Sequence, residues 1–275
     1  MDGVQKEMGR QIMKFEVEGL SQGYGKHSIL EDISFSAESG EMLTILGPNG
    51  CGKSTLIKTL CNVMRPRSGR ITVDGRSTDS MPPNDLAKLI GYVPQVISSF
   101  GNSSVYDLVL IGRKPYAEWN YSKDDLRIAA DAMIEMNVHQ YAERSVQELS
   151  GGQKQRAFIA RALAQDPEFY IFDEPTSSFD LRNQLDTMRV MRRIIRQRNA
   201  CLVVALHDLN LAMRYSDRVM VLNDRRIYSI GKPEEVITSK MIYDVYGVTA
   251  DIVEDEHGLN VRAYDSDEDS MADRS

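Results

Sequence analysis

The chain has 275 residues, 42% of them apolar and 27% charged, with a formal net charge of −7. That length allows one large domain or two small ones around a real core, and the ordinary composition excludes a disordered, collagenous or disulfide-built chain. The charge is uneven: residues 251–275 hold nine acids and two arginines, hence −7, so the remainder balances at zero.

Residues 1–12 read as a frayed start. Met13 to Leu20 alternates apolar and polar residues, the pattern of a half-buried strand; Tyr24-Gly25 reads as a turn and Ile29 to Ala37 as the returning strand. Met42-Leu43-Thr44-Ile45-Leu46 is apolar enough for a buried strand, and Thr55 to Leu60 has helical character. A strand bounded by turns follows over Ser68 to Gly75. Pro82-Pro83 precedes a short helix, and Ile90 to Gln95 reads as a strand running into a loop. Val105 to Ile111 and Asp124 to Met136 both carry helical spacing with no strand between them, which predicts an inserted helical subdomain over about 96–166. Leu149-Ser150-Gly151-Gly152-Gln153 opens a further helix through Ala164.

Glu168 to Glu174 is a buried strand ending in two carboxylates. A long arginine-rich helix starts at Leu181, and the apolar strand Cys201 to Leu206 ends at His207. Arg218 to Asn223 and Arg226 to Ile230 suggest a closing hairpin. Strands alternating with helices predict an α/β fold with a mainly parallel core sheet and an antiparallel β edge. The last stretch, Asp265 to Ser275, reads as a solvated acidic tail. Three distant cysteines, Cys51, Cys61 and Cys201, suggest reduced thiols in a cytoplasmic compartment, and the four histidines have no metal-ligand spacing. With no signal peptide and no apolar run approaching about 18 residues, the chain is not expected to span a membrane.

The stretch Gly47-Pro48-Asn49-Gly50-Cys51-Gly52-Lys53-Ser54-Thr55 fits G-x-x-x-x-G-K-[ST], the phosphate-binding loop. Its glycines let successive backbone N–H groups curl around an anion, and a helix starting near Ser54 adds the positive end of its dipole. At average residue usage a chance match in a chain of this length is roughly one in a hundred. The strand before it and the helix after it make coincidence rarer still. In such a loop Lys53 supplies charge to the β- and γ-phosphates and the Ser54 hydroxyl ligates Mg²⁺. Asp173, at the end of an apolar strand, is the natural second Mg²⁺ group, and Glu174 beside it is placed to activate a water.

With these residues in hand, Leu149-Ser150-Gly151-Gly152-Gln153 resembles the signature motif of the ABC-type ATPases. Other marks of that family follow its order: the loop 47–55, Gln95 in a glutamine loop, the signature, the strand ending at Asp173-Glu174, Ser177-Ser178-Phe179-Asp180 in the place of the D-loop, and His207. The resemblance covers about residues 13–247 and implies a cassette domain over 13–250 followed by an acidic extension over 251–275. It also implies that Tyr24 stacks on adenine, that Gln95 senses the metal and the attacking water, that Glu174 is the general base and that His207 contacts the γ-phosphate. The resemblance further implies that Ser150, Gly151, Gly152 and Gln153 act in trans on the ATP of a second copy in a head-to-tail homodimer and that Asp180 helps couple the two sites. Phe179 departs from the aliphatic residue common at its position.

Val105-Tyr106-Asp107-Leu108-Val109-Leu110-Ile111-Gly112-Arg113-Lys114-Pro115-Tyr116 is similar to a segment of the iron-chelate importer ATPases, which serve siderophores, haem and cobalamin. That likeness implies integral-membrane permease subunits, a substrate-binding protein in the complex and a peripheral place on the cytoplasmic face of the membrane. Residues 96–120, with Tyr116 and Trp119, would meet the permease. An ABC ATPase acting on ribosomes or nucleic acid is the alternative. It usually carries coiled coils or two cassettes, and the arginines from Arg182 to Arg198, with Leu181, Leu185, Met188 and Ile195 between them, read better as a solvated face over a core face than as a nucleic-acid patch. A nucleotide kinase would carry neither the signature nor the histidine.

Overall fold

The computed structural model describes residues 12–95 and 102–264. The start of the chain, the segment directly after Gln95 and the acidic tail from Asp265 lie outside the described residues. The alternating segment forms β1 (Lys14–Tyr24), hairpinned to β2 (His27–Glu38). Cross-strand pairs such as Phe15↔Ala37 and Val17↔Phe35 bury their side chains together, as a period of two dictates. The strand runs further than its alternation: Tyr24 ends β1 instead of sitting in the turn, which is Gly25-Lys26.

β3 (Met42–Leu46) leads into the loop and α1 (Lys53–Leu60). β4 (Ser68–Val73) and β5 (Arg76–Ser77) join the first hairpin in an antiparallel sheet of order β2-β1-β4-β5. Next come α2 (Pro83–Leu89), whose proline sits where a missing N–H costs nothing, and β6 (Ile90–Val93). The chain then inserts α3 (Val105–Leu110), α4 (Lys123–Glu135) and α5 (Gly151–Gln165) before returning to β7 (Phe169–Asp173). Ser104, Ser122 and Ser150 cap these three helices, the last two in full capping boxes.

α6 (Leu181–Arg198), β8 (Cys201–Ala205), α7 (Leu209–Tyr215), β9 (Arg218–Asn223) and β10 (Arg226–Gly231) complete the second sheet. Its order is β10-β9-β3-β8-β7-β6, parallel except for the β9–β10 hairpin. Every residue of β3, β7 and β8 is buried, the mark of parallel strands covered on both faces. Leu43, Ile45, Ile171 and Val203 pack toward α1 and the antiparallel sheet, whereas Met42, Tyr170, Phe172 and Leu202 pack toward α5 and α6. Each such side chain contributes about 1.5–3 kcal/mol by leaving water, so the strand ends that carry the site are stiff.

Three features depart from the sequence reading. Beyond the expected hairpin the chain continues into α8 (Pro233–Val236), α9 (Ser239–Tyr246) and a second hairpin, β11 (Thr249–Asp255) with β12 (Gly258–Tyr264). The acidic extension therefore begins as paired strands, held by the register Asp251↔Arg262 to Asp255↔Gly258. Leu181 is 69% exposed, because the buried face of α6 starts later, at Thr187, Met188 and Met191. The arginines of α6 are not one solvated face. Arg182 and Arg189 pair with Asp186 on the outside, but Arg198 reaches Asp166, Glu135 and the Tyr170 hydroxyl, tying the inserted helices to the core sheet.

Candidate active site

The loop from Gly47 to Gly52 turns tightly between β3 and α1. Gly47 (φ 147°) has no room for a side chain, since a Cβ there would lie 2.4 Å from Leu222 O and 2.7 Å from Cys51 Sγ. Gly52 caps α1 in the left-handed region without a side-chain cap, and no acid stands in the first helical turn. The opening N–H groups of α1 are thus available to an anion. Lys53 is buried and donates to Gly47 O (2.7 Å) and Pro48 O (3.1 Å), so its ammonium lies across the loop with a third proton still to give.

Opposite the loop, the ends of β6, β7 and β8 bring four further groups together: Gln95, Asp173, Glu174 and His207. Ser54 Oγ donates to Asp173 Oδ1 at 3.1 Å. Burial pushes the Asp173 carboxyl above its ordinary range, and the Ser54 hydrogen bond opposes this only in part. Glu174 sits at φ 48°, a left-handed conformation costly for a residue with a Cβ; its N–H bonds Ala205 O at 3.2 Å. Both of its carboxylate oxygens are engaged. Gln95 Nε2 donates to Oε2 at 2.5 Å, and His207 Nε2 bonds Oε1. Asp208, next to His207, caps α7 and fixes the histidine's turn.

Asn49, Gly50, Gly52, Lys53, Ser54 and Thr55 line one side of a cleft of about 430 Å³, and Gln95, Glu174 and His207 the other. Asp173 lies below its floor, reached through Ser54. Pro48 and Cys51 face a neighbouring cleft of about 360 Å³, shared with Asn223 and Arg225. Burial raises the Cys51 thiol above its ordinary value, with Lys53 opposing. Ser28 and Ile29 line these clefts too, a role the sequence did not reveal because short strand residues carry no motif.

Two groups of expected site residues stand apart. Tyr24 is 51% exposed at the hairpin tip, with its hydroxyl on Met64 Sδ at 3.4 Å, and it lines neither cleft. The signature residues also lie outside their own chain's cleft. Ser150 Oγ accepts the Gln153 N–H, Gln153 Oε1 accepts the Ser150 N–H at 2.9 Å, and Gln153 Nε2 reaches Tyr141 Oη at 3.1 Å. Gly151 and Gly152 pack on Ser178 and Phe179, and the Phe179 ring comes so close to Gly152 that a Cβ would meet it at 3.1 Å. Asp180 caps α6 through the Asn183 N–H (2.8 Å).

A glycine loop opening a helix, with two carboxylates at the end of another parallel strand of the same sheet, defines a nucleoside-triphosphate-binding α/β protein. The chain belongs to the ABC transporter family, whose sequence model matches residues 30–177. It is 40% identical over 234 residues to the hemin import ATP-binding protein HmuV of Thermobifida fusca, covering 85% of this chain and 82% of that one. It is 34% identical over 252 residues to the ferric enterobactin transport ATP-binding protein FepC of Escherichia coli, covering 90% and 92%. A solved metal-chelate type ABC transporter in an inward-facing conformation superposes with a TM-score of 0.80 at 27% identity, covering 93% of this chain and 99% of that one. The chain is an ATP-binding, ATP-hydrolysing cassette.

Proposed function

We propose that this cassette is the ATPase subunit of an importer that takes up an iron chelate, a siderophore or haem, or cobalamin. The observation that carries the ATPase chemistry is Glu174, held between Gln95 and His207 across one cleft from Lys53 and Ser54. The α1 N-terminus and Lys53 bind the phosphates, and Tyr24 swings from Met64 to stack on adenine. Ser54 and Asp173 would hold Mg²⁺, with Gln95 at its edge. A hydroxyl and a carboxylate are the hard oxygen donors that this ion takes alongside water and phosphate. When bound, the ion neutralises charge building on the phosphate oxygens. Glu174 accepts a proton from the attacking water on the oxygen that His207 releases, and His207 turns to the γ-phosphate.

The signature of one copy is free to cap the ATP of another, so Ser150, Gly151, Gly152 and Gln153 act in trans in a head-to-tail homodimer, with Asp180 coupling the sites. The cargo reading is supported by the hemin and enterobactin relatives and by the segment Val105 to Tyr116. Trp119, 93% exposed, stands beside the permease-facing helices. Membrane permease subunits and a substrate-binding protein complete the assembly, with the cassette peripheral on the cytoplasmic face. A pull-down of the chain from native membranes, read by mass spectrometry, tests this. A multi-span permease is expected; ribosomal or DNA-repair partners without one would overturn the importer.

A further inference from the structure

The C-terminal segment from α9 to β12 touches the nucleotide machinery at two places far apart in sequence. At one end, the α9 face of Met241, Ile242 and Val245 is buried in the main core, which fixes the last helical residue, Tyr246. The Tyr246 hydroxyl is buried and makes no hydrogen bond of normal geometry, yet the Gly47 N–H comes near enough to offset part of the burial that raises the phenol. At the other end β12 docks on α7, two residues past His207: Asn210 Oδ1 accepts the Val261 N–H at 2.7 Å and Asn210 Nδ2 donates to Val261 O at 3.3 Å.

Gly47 is the root of the phosphate loop, and its peptide is restrained from several sides. Leu222 O and Cys51 Sγ fill the space where a Cβ would stand, and Lys53 holds its carbonyl. Phosphate competes for the Lys53 ammonium, and whatever Lys53 yields leaves the Gly47 peptide looser on its carbonyl side. A buried hydroxyl without a well-formed hydrogen bond is unfavourable, and a small shift that brings the Gly47 N–H into line with it relieves that cost. Burial also pushes the phenol up to about 12, so Tyr246 stays neutral and can accept from Gly47 while donating to sulfur.

We propose that Tyr246 is a positioning residue for the phosphate loop: its hydroxyl accepts the Gly47 N–H when the loop closes on nucleotide phosphates, so the C-terminal segment contributes to nucleotide affinity. This rests on the reading of residues 47–55 as the phosphate loop. The hydroxyl stabilises the occupied loop and slightly destabilises the empty one.

The test uses the full chain with Tyr246→Phe, which removes one oxygen and keeps the ring, measured by calorimetric titration with Mg-ADP and by melting without nucleotide. Kd for ADP rises about five- to tenfold, while the melting temperature without nucleotide stays level or rises. Tyr243→Phe, on the exposed side of the same helix (64% exposed), leaves both unchanged. An unchanged Kd overturns the inference, and so does a raised Kd accompanied by a lower melting temperature, which is the result of a merely structural role. Lys53→Ala separates the two readings. If it still binds ADP tightly the phosphate-loop reading fails; if it loses ADP while Tyr246→Phe binds normally, only the role of Tyr246 fails.

Discussion

His207 Nε2 bonds Glu174 Oε1, joining the chain just past β8 to the end of β7, two adjacent parallel strands. With Gln95 on the other oxygen, the carboxylate is fixed at the mouth of the cleft by two partners that an amide can also satisfy. Glu174→Gln therefore keeps the local geometry and removes only the capacity to take a proton. Hydrolysis falls about 10²–10⁴-fold while nucleotide binding stays near wild type, read by phosphate release and ligand titration on one preparation. Phosphate release at the wild-type rate would remove Glu174 as the base.

Asp173 gives a prediction with opposite signs for stability and activity. Its carboxyl is raised above 3.8 by burial, with the Ser54 hydrogen bond opposing. A carboxyl raised in the folded state favours folding when protonated. Its contribution is present below the unfolded value and is lost as pH rises through the folded one, so at neutral pH the ionised Asp173 is a destabilising charge. Asp173→Asn raises the melting temperature at pH 7, with a smaller gain near pH 3. On the proposed function it also removes the carboxylate that would hold Mg²⁺, worth several kcal/mol of transition-state stabilisation and so on the order of 100-fold or more in rate. A variant that melts lower at pH 7, or hydrolyses ATP normally, contradicts this account.

The phosphate loop, the paired acids and His207 were legible because each sits at a strand end whose local spelling fixes the backbone. The antiparallel opening was legible from the alternation of Phe15 and Val17 with Glu16 and Glu18. What remained hidden depends on distant packing. Nothing near Tyr246 announces Gly47, about 200 residues earlier, since their meeting is made by the docking of α9. The β11–β12 hairpin was obscured by its own charge. Leu259, Val261 and Ala263 alternate as a strand should, but the acids around them read as a solvated extension. Arg198 misled in the same way, for only the folded chain shows Asp166, Glu135 and Tyr170 converging on it.

The inserted helices rest on a buried ion pair. Arg113 Nε meets Asp125 Oδ1 at 2.9 Å, Arg113 also donates to Ala164 O at 2.8 Å, and its guanidinium lies 4.0 Å from the centre of the Tyr116 ring. Asp125→Ala leaves this guanidinium without a counter-charge and opens the α4 capping box. The cost is about 3 kcal/mol from the pair and about 1 kcal/mol from the cap, measured by denaturant unfolding. Burial alone would raise the Asp125 carboxyl, but the Ser122 and Arg113 hydrogen bonds hold it below 3.8. Its stabilisation is present above that value and fades as pH falls through the lower, folded one. The penalty of the variant therefore shrinks in strong acid, and an equal penalty there would show that cap and packing carry it.

Ser150 offers a site that one copy does not need for its own nucleotide. It is exposed, caps α5 and stands outside the cleft formed by the loop and Glu174. The far end of α5 is held independently, by Arg113 on Ala164 O and Arg198 on Leu163 O, so the helix survives loss of its cap at a cost of about 1 kcal/mol. Ser150→Arg puts a long cation where a partner's triphosphate would meet the helix N-terminus. Binding of Mg-ADP to the single chain stays unchanged. In the Glu174→Gln background, the dimer that the proposed function expects with ATP is absent from sedimentation profiles. Steady-state hydrolysis in the otherwise unaltered chain falls with it, because on the proposed two-copy arrangement each site lacks its second half. An ATP-dependent dimer that persists with arginine at this position would mean that the signature does not act across the interface, and the two-copy site would have to be abandoned.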